Sequence, residues 1–359
     1  MGITKCYEIC QNILESAQLC RNQDNSQQKC KIYIDGLDLW YFSYNKNRFP
    51  DKKNATINLM KILSMIKKNN FIIDSVKIYL TGKTPEVKNR ANTFHESLFG
   101  ELLYWCHFLV ERFKFIEFES LNFGEGESQC FFARDKNYPS IIVTNDSNIL
   151  PICYKYQPLS DNDNVFFYIL KKEIIYDARI FKTILCKNAF TLLLFLNGSP
   201  EFIEPLFTLS MIKLIFEILD SHDPIYVQSL KNINSIMIEI NESNIEKCIA
   251  YFILILCDLK RKKIGKFTWP QANSKIKTVN YTGLLKWLIM YSNQGTNVEN
   301  YNYNFKITDS EGVSKLQYFF KICKNAFRDT FKDVEDPENC KDLERIMYDI
   351  SINEIINMV

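Results

Sequence analysis

A chain of 359 residues, 47% hydrophobic and 24% charged, is long and apolar enough to bury a large core as one big domain or two smaller ones. A formal net charge of +2 excludes a globally basic protein, so any nucleic-acid-binding surface must be local. The twelve cysteines form no Cys-x-x-Cys pair and meet only three histidines, so no zinc template fits, and the start lacks the apolar core of a signal peptide. The expectation is an intracellular chain with reduced thiols and no membrane attachment. Apolar runs such as residues 249–259 are too short to span a bilayer, and Cys6 leaves the Met-Gly start a poor myristoylation signal.

In chain order, residues 4–20 carry the apolar spacing of a short amphipathic helix, followed by a polar loop. A strand at 32–34 stops at Asp35-Gly36 and a helix begins at Leu37. A helix over 55–68 leads to a second strand at 75–80, which breaks at Thr81-Gly82. Residues 86–113 read as helices. A third strand at 114–119 precedes the turn Gly124-Glu125-Gly126-Glu127 and a helix, and the apolar run 141–143 is the fourth strand, ending at Thr144-Asn145-Asp146. A fifth, 165–170, ends in Lys171-Lys172. Strands alternating with helices predict a parallel sheet, and from Asp177 onward the signal is almost entirely helical. A boundary near residue 205 divides an α/β domain (1–205) from a helical region (206–359). Residues past the carboxyl ends of parallel strands converge on one crevice, so Glu125, Glu127 and Asp146 are positioned to share a site. Oxygen ligands of this kind suit a hard divalent cation.

Taken together, these pieces resemble the flap-endonuclease/XPG family of structure-specific nucleases, whose core is a PIN-like α/β domain. Met1-Gly2-Ile3 resembles the family's opening and Asp35 its first metal carboxylate. Tyr41 falls where the family often has a base-stacking aromatic. Residues 79–85, Tyr-Leu-Thr-Gly-Lys-Thr-Pro, resemble its Phe-Asp-Gly-Lys-x-Pro turn, the Glu125-Gly126-Glu127 turn its Glu-Ala-Glu-Ala, and Asp146-Ser147-Asn148 its Asp-x-Asp. Leu196-Asn197-Gly198-Ser199 is similar to the helix end that delivers the last aspartate, in a form that fits the relatives encoded by large DNA viruses. The resemblance implies Asp35, Glu125, Glu127 and Asp146 as metal ligands and catalytic groups, and Gly2, Tyr41, Lys83, Lys88 and Arg90 as contacts to nucleic acid.

The departures bear on function. Thr81, Asn148 and Pro200 stand where the family has aspartates, so three of seven expected carboxylates are neutral. Two-metal hydrolysis needs ligands for both ions, and what remains implies at most one weak Mg²⁺ site, with Glu201 as a substitute ligand, or none. The segment between Gly82 and Lys114 is short for an arch, and no glycine-rich duplex-binding turn follows Ser199. The leading expectation is a protein that binds branched or single-stranded DNA, with RNA as an option, in replication, repair or recombination, and whose hydrolysis is weak or lost. The alternatives are an active Mg²⁺-dependent endonuclease using the reduced set, and a pseudonuclease scaffold for RNA or protein, with replication proteins met through the helical region.

Plainer readings stand beside these. Glu125, Glu127 and Asp146 could be helix caps, Asp38 a solvated helix residue, and Tyr41 a core residue. The run Lys260-Arg261-Lys262-Lys263 fits a helix C-terminus as well as a phosphate patch. Leu316, Phe319 and Phe320, which resemble a sliding-clamp-binding motif, have the spacing of a buried helix face.

Overall fold

The computed structural model describes residues 5–19, 27–43, 51–82, 96–121, 124–155, 164–180, 183, 185–198, 204–221, 223–241, 243–264, 275–278, 281–293 and 309–326. Contacts divide the chain into two compact units, one built around Gln11–Lys182 and the other around Thr183–Met290 with Ile3–Cys10 and Lys306–Val359. Two short helices open the chain, α1 (Cys6–Ile9) and α2 (Gln11–Ala17). The single helix expected over 4–20 is thus broken, because Cys10 leaves the helix and Lys5 is left-handed (φ 49°).

The first unit then runs β1 (Gln28–Asp35), α3 (Gly36–Phe42), α4 (Lys52–Lys68), β2 (Phe71–Leu80), α5 (Glu96–Arg112), β3 (Ile116–Ser120), α6 (Gly126–Phe132), β4 (Ser140–Thr144), α7 (Ile149–Lys155), β5 (Val165–Ile169) and β6 (Ile174–Asp177). The sheet order is β3-β2-β1-β4-β5-β6. All neighbours are parallel except β5 and β6. The expected parallel α/β sheet flanked by helices is therefore observed, with one strand that sequence reading omitted. Lys171-Lys172-Glu173 is a tight turn in which Glu173, rather than glycine, takes the left-handed conformation (φ 55°), so the usual turn signal was missing.

Ile32, Ile34, Ile141, Val143 and Phe166 share one core with residues of α3, α4 and α5. The alternate residues Tyr33, Ile142 and Phe167 are buried too, as expected of a sheet covered on both faces. Trp40 of α3 meets Trp105 of α5 at 5.6 Å between ring centroids. The Trp105 indole donates to Thr56 Oγ1 at 3.0 Å, which ties α5 to α4. Chain order sends β2 and β3 to one side of β1, and β4 and β5 to the other. The strand order therefore reverses between β1 and β4, and in open α/β sheets the carboxyl edge at such a reversal is where a binding crevice forms.

The second unit is helical: α8 (Lys187–Leu196), α9 (Leu209–Asp220), α10 (Pro224–Ile238), α11 (Ile245–Ile264), α12 (Tyr281–Asn293) and α13 (Lys315–Ala326). It also holds an antiparallel ribbon of β7 (Lys275–Thr278) and β8 (Asp309–Ser314), too polar to have read as strands. α10 packs on α8 and α11, α11 on α9 and α13, and α1 on α9. Side chains start these helices: Thr208 Oγ1 accepts from Met211 N at 3.3 Å, and Asp223 Oδ1 from Ile225 N at 3.0 Å ahead of Pro224. Phe319 and Phe320 are buried, which settles them as core; the side chain of Leu316 lies outside the described residues. Among the described residues, no helix is long and apolar enough to cross a membrane.

Candidate functional site

Asp35 is the last residue of β1, at the point where the strand order reverses. Its Oδ1 accepts from the amides of Leu37 (3.1 Å) and Asp38 (3.2 Å) and so starts α3. Two glycines allow the turns around it. A Cβ on Gly36 would lie 2.6 Å from Leu80 Cδ2, and one on Gly126 would lie 2.8 Å from Asp35 Oδ1, so α6 can begin against the Asp35 carboxyl only because residue 126 has no side chain. Thr81 fixes the same junction: its Oγ1 accepts from Gly126 N at 3.2 Å, while Gly82 N donates to Gly124 O at 3.0 Å.

Glu125 occupies the N-cap position of α6, as the plain reading expected, but its side chain makes no capping hydrogen bond, which leaves the helix dipole as the whole of that reading. Glu127 sits in the first turn, and Asn148 Nδ2 lies 3.5 Å from its Oε1. Asp146 follows β4, and its Oδ1 accepts from Asn148 N at 2.8 Å. Asp35, Glu125, Glu127 and Asp146 are only 4%, 6%, 2% and 5% exposed, well below what isolated carboxylates tolerate.

Asp38 departs from its expected place. It is a half-buried clamp, not a solvated helix residue. Its Oδ2 accepts from Thr144 Oγ1 (2.7 Å), Asn145 N (2.6 Å) and Asp146 N (2.7 Å), which binds the start of α3 to the end of β4. The available signal was position: three residues after Asp35, Asp38 shares its helix face and turns toward the neighbouring strand end.

Electrostatics confirm that these groups lie in one another's field. Burial, followed by the nearby charges of Asp38 and Asp146, pushes the Asp35 carboxyl well above the usual range. Burial, with Asp38 and Glu125, raises Asp146 to about 6. The Cys130 thiol is driven up by burial and then by Asp35, Glu127 and Asp38.

The carboxylates share a crevice but do not converge on a point. Among the described residues, no three His, Cys, Asp or Glu side chains stand close enough to hold a metal ion together. The hydrogen bonds supply a reason: Asp35, Asp38 and Asp146 each turn an oxygen to backbone amides. The donor chemistry, all oxygen and all acidic, matches a hard cation, whereas a closed coordination shell is not formed.

Tyr41 lies on α3 and is 44% exposed, so the core reading does not hold for it. Lys171 and Lys172, exposed in the β5–β6 turn, sit beside the crevice because Lys171 N donates to Asn145 Oδ1 at 3.2 Å; nothing in their local sequence marks them. Gly2, Lys83, Lys88, Arg90, Pro200 and Glu201 lie outside the described residues. The run Lys260–Lys263 ends α11, and of its side chains Lys263 is described and exposed.

No protein-family profile matches the chain, and no curated protein sequence matches it. Among solved structures it is similar to the catalytic core of Rad2 in complex with a DNA substrate, at 14% identity and a TM-score of 0.46 over 92% of this chain and 98% of that one. A T5 5′-exonuclease mutant aligns at 12% identity and 0.40 over 92% and 100%. Human GEN1 in complex with Holliday junction DNA aligns at 14% and 0.37 over 82% and 78%. At these identities and scores no residue role passes from those proteins to this chain.

Proposed function

We propose that the first unit binds branched or single-stranded DNA at the carboxyl edge of its sheet, in replication, repair or recombination, and that its phosphodiester hydrolysis is weak or lost. The observation that carries this reading is the set of buried carboxylates, Asp35, Glu125, Glu127 and Asp146, at the point of strand-order reversal, interleaved with the neutral Thr81 and Asn148. A bound Mg²⁺ would supply Lewis-acid activation of water and neutralise phosphate charge. Glu125, Glu127 and Asp146 are the residues that would hold it, with Asp35 beside them, and they would have to turn from their present orientations to do so, since no three of them stand close enough as they are.

The chain's own groups act as follows. Asp38 fixes the backbone that carries Asp146, and Thr81 holds the first turn of α6, which carries Glu127. Asn148 offers Glu127 an amide where a further carboxylate would offer negative charge, which favours retaining one cation at most. Lys171 and Lys172 supply cations to a phosphodiester entering the crevice, and Tyr41 offers a partly exposed ring for a base.

The second reading, an active nuclease using the reduced set, is favoured by Asp146, whose pKa of about 6 leaves it mostly ionised at neutral pH. Single-turnover cleavage of a labelled 5′-flap DNA in Mg²⁺ or Mn²⁺, with binding followed in Ca²⁺ at two salt concentrations, separates the two. We expect salt-dependent binding with little or no cleavage, and Glu125→Gln/Glu127→Gln leaving binding in place. Metal-dependent cleavage abolished by that double variant establishes the nuclease. Absence of DNA binding at every salt concentration removes both readings and leaves an RNA or protein scaffold.

A further inference from the structure

Helix α4 carries five lysines and no acidic residue. Lys53, Ile57, Lys61, Ser64 and Lys68 recur at intervals of three and four residues, so they form one stripe, and all five are exposed. Along it runs a groove of about 860 Å³. Phe42, Ile57, Met60 and Met65 give the groove an apolar lining, with Lys61 and Lys68 as its cations. Ile57 is 42% exposed although it is β-branched and apolar, and the two methionines are side chains that repack around a visitor. Among the described residues of the lining, the one acid is Glu173 of the β5–β6 turn.

The spacing identifies what fits. Lys53, Lys61 and Lys68 are eight and seven residues apart, about two helical turns or roughly 10–12 Å. Ile57 falls between the first pair and Met65 between the second. A helix lying along α4 with acids two turns apart and apolar residues between them would set charge against charge while filling the groove. A phosphate backbone would use the lysines but gain nothing from a lining of Ile and Met. Successive stacked bases would find one half-buried ring, Phe42, because Tyr168, also in the lining, is buried.

We propose that this groove docks an acidic amphipathic helix of a partner protein. The surface lies along α4 and uses none of the carboxylates; it meets the DNA reading only at the β5–β6 turn, which gives Glu173 to the groove and carries Lys171 and Lys172.

The test uses the full chain and a fluorescein-labelled designed peptide of about three heptads, with Glu every seventh residue and Leu three and four residues on. Its controls are a scrambled peptide of equal composition and a labelled oligothymidylate. We expect saturable anisotropy with the amphipathic peptide, and affinity about tenfold lower for the scrambled one. Lys61→Glu/Lys68→Glu and, separately, Ile57→Asp should each weaken peptide binding about tenfold, and leave oligothymidylate binding unchanged. Lys61→Gln/Lys68→Gln and a thermal melt of each variant guard against misfolding. Equal binding of the two peptides overturns the proposal. Oligothymidylate binding that falls in step with peptide binding reassigns the groove to nucleic acid, and a dimer dissolved by the same variants reassigns it to a second copy of the chain.

Discussion

The two ends of strand β1 treat charge in opposite ways. At the amino edge of the sheet, carboxylates meet cations: Lys29 pairs with Asp74 at 2.5 Å, Lys31 with Asp135 at 2.7 Å, and Arg179 with Asp177 at 2.6 Å. Asp135 is held below its ordinary pKa, first by its hydrogen bond from Lys31. Four residues after Lys31, at the carboxyl edge, Asp35 is pushed up by burial and by the acids Asp38 and Asp146. One strand thus ends in a charge arrangement that helps the fold at one side and strains it at the other. Groups that raise one another's pKa do not serve stability, so the carboxyl edge is where a function must account for the residues.

The sharpest way to break this contrast is to remove Asp38. Asp38→Ala removes the acceptor shared by Thr144 Oγ1 and the amides of Asn145 and Asp146, of which Asp146 N keeps a second partner in Thr144 Oγ1 at 3.0 Å, and the loss should reach roughly 3 kcal/mol in denaturant unfolding. A solvated helix residue would change stability by less than about 0.5 kcal/mol, and that result would return Asp38 to the plain reading. Gly126→Ala tests the approach of α6 to Asp35. Its Cβ would meet Asp35 Oδ1 at 2.8 Å and Tyr79 O at 3.2 Å, and a destabilisation of about 1–3 kcal/mol is expected. An unchanged melting temperature would mean that α6 does not seat on the Asp35 carboxyl.

The parallel core and its crevice were legible because they are local signals. Apolar runs bounded by Asp35-Gly36 and Thr144-Asn145-Asp146 mark strand ends, and parallel topology brings strand ends together. What escaped reading depends on partners distant in sequence. Asp38 bonds to residues more than 100 positions away, and a charged residue on a helix gives no sign of such a bond. β6 was hidden because Glu173 makes a turn that glycine usually marks. Convergence on a metal is the extreme case: it depends on tenths of an ångström in where each carboxylate oxygen points, and the amides of α3 and of the Asp146 turn take oxygens that a motif would assign to an ion.

A gentler probe of the carboxyl edge is pH. Asp146 is raised to about 6, above the value near 3.9 expected when unfolded, so the native state holds that proton more tightly. Stability from this group is therefore greatest below about pH 4 and declines as pH rises through about 6. In Asp146→Asn, which keeps an Oδ1 acceptor for Asn148 N, the decline should be smaller by up to about 2 kcal/mol between those limits. Parallel curves for wild type and variant would show that Asp146 titrates normally. Millimolar Mg²⁺ should flatten the wild-type curve above pH 6 and leave the variant's unchanged, because a cation that binds the ionised native form offsets the cost of ionising it.

The amino edge should respond least. Lys31→Gln removes the partner of Asp135, but both side chains are partly exposed, at 24% and 32%, so solvent already screens much of their attraction. Asp135 would keep its amide partner Asn137, and its own backbone amide would still donate to Tyr33 Oη at 2.8 Å, so the turn into β4 survives the loss. We expect a melting temperature close to wild type, a small decrease at low salt, and no difference at high salt, because a screened pair disappears from the balance when ions are added. A drop in melting temperature as large as that of Asp38→Ala, persisting in salt, would mean that the amino edge constrains the sheet as strongly as the carboxyl edge. The contrast between the two ends of β1 would then be one of geometry rather than of electrostatic role.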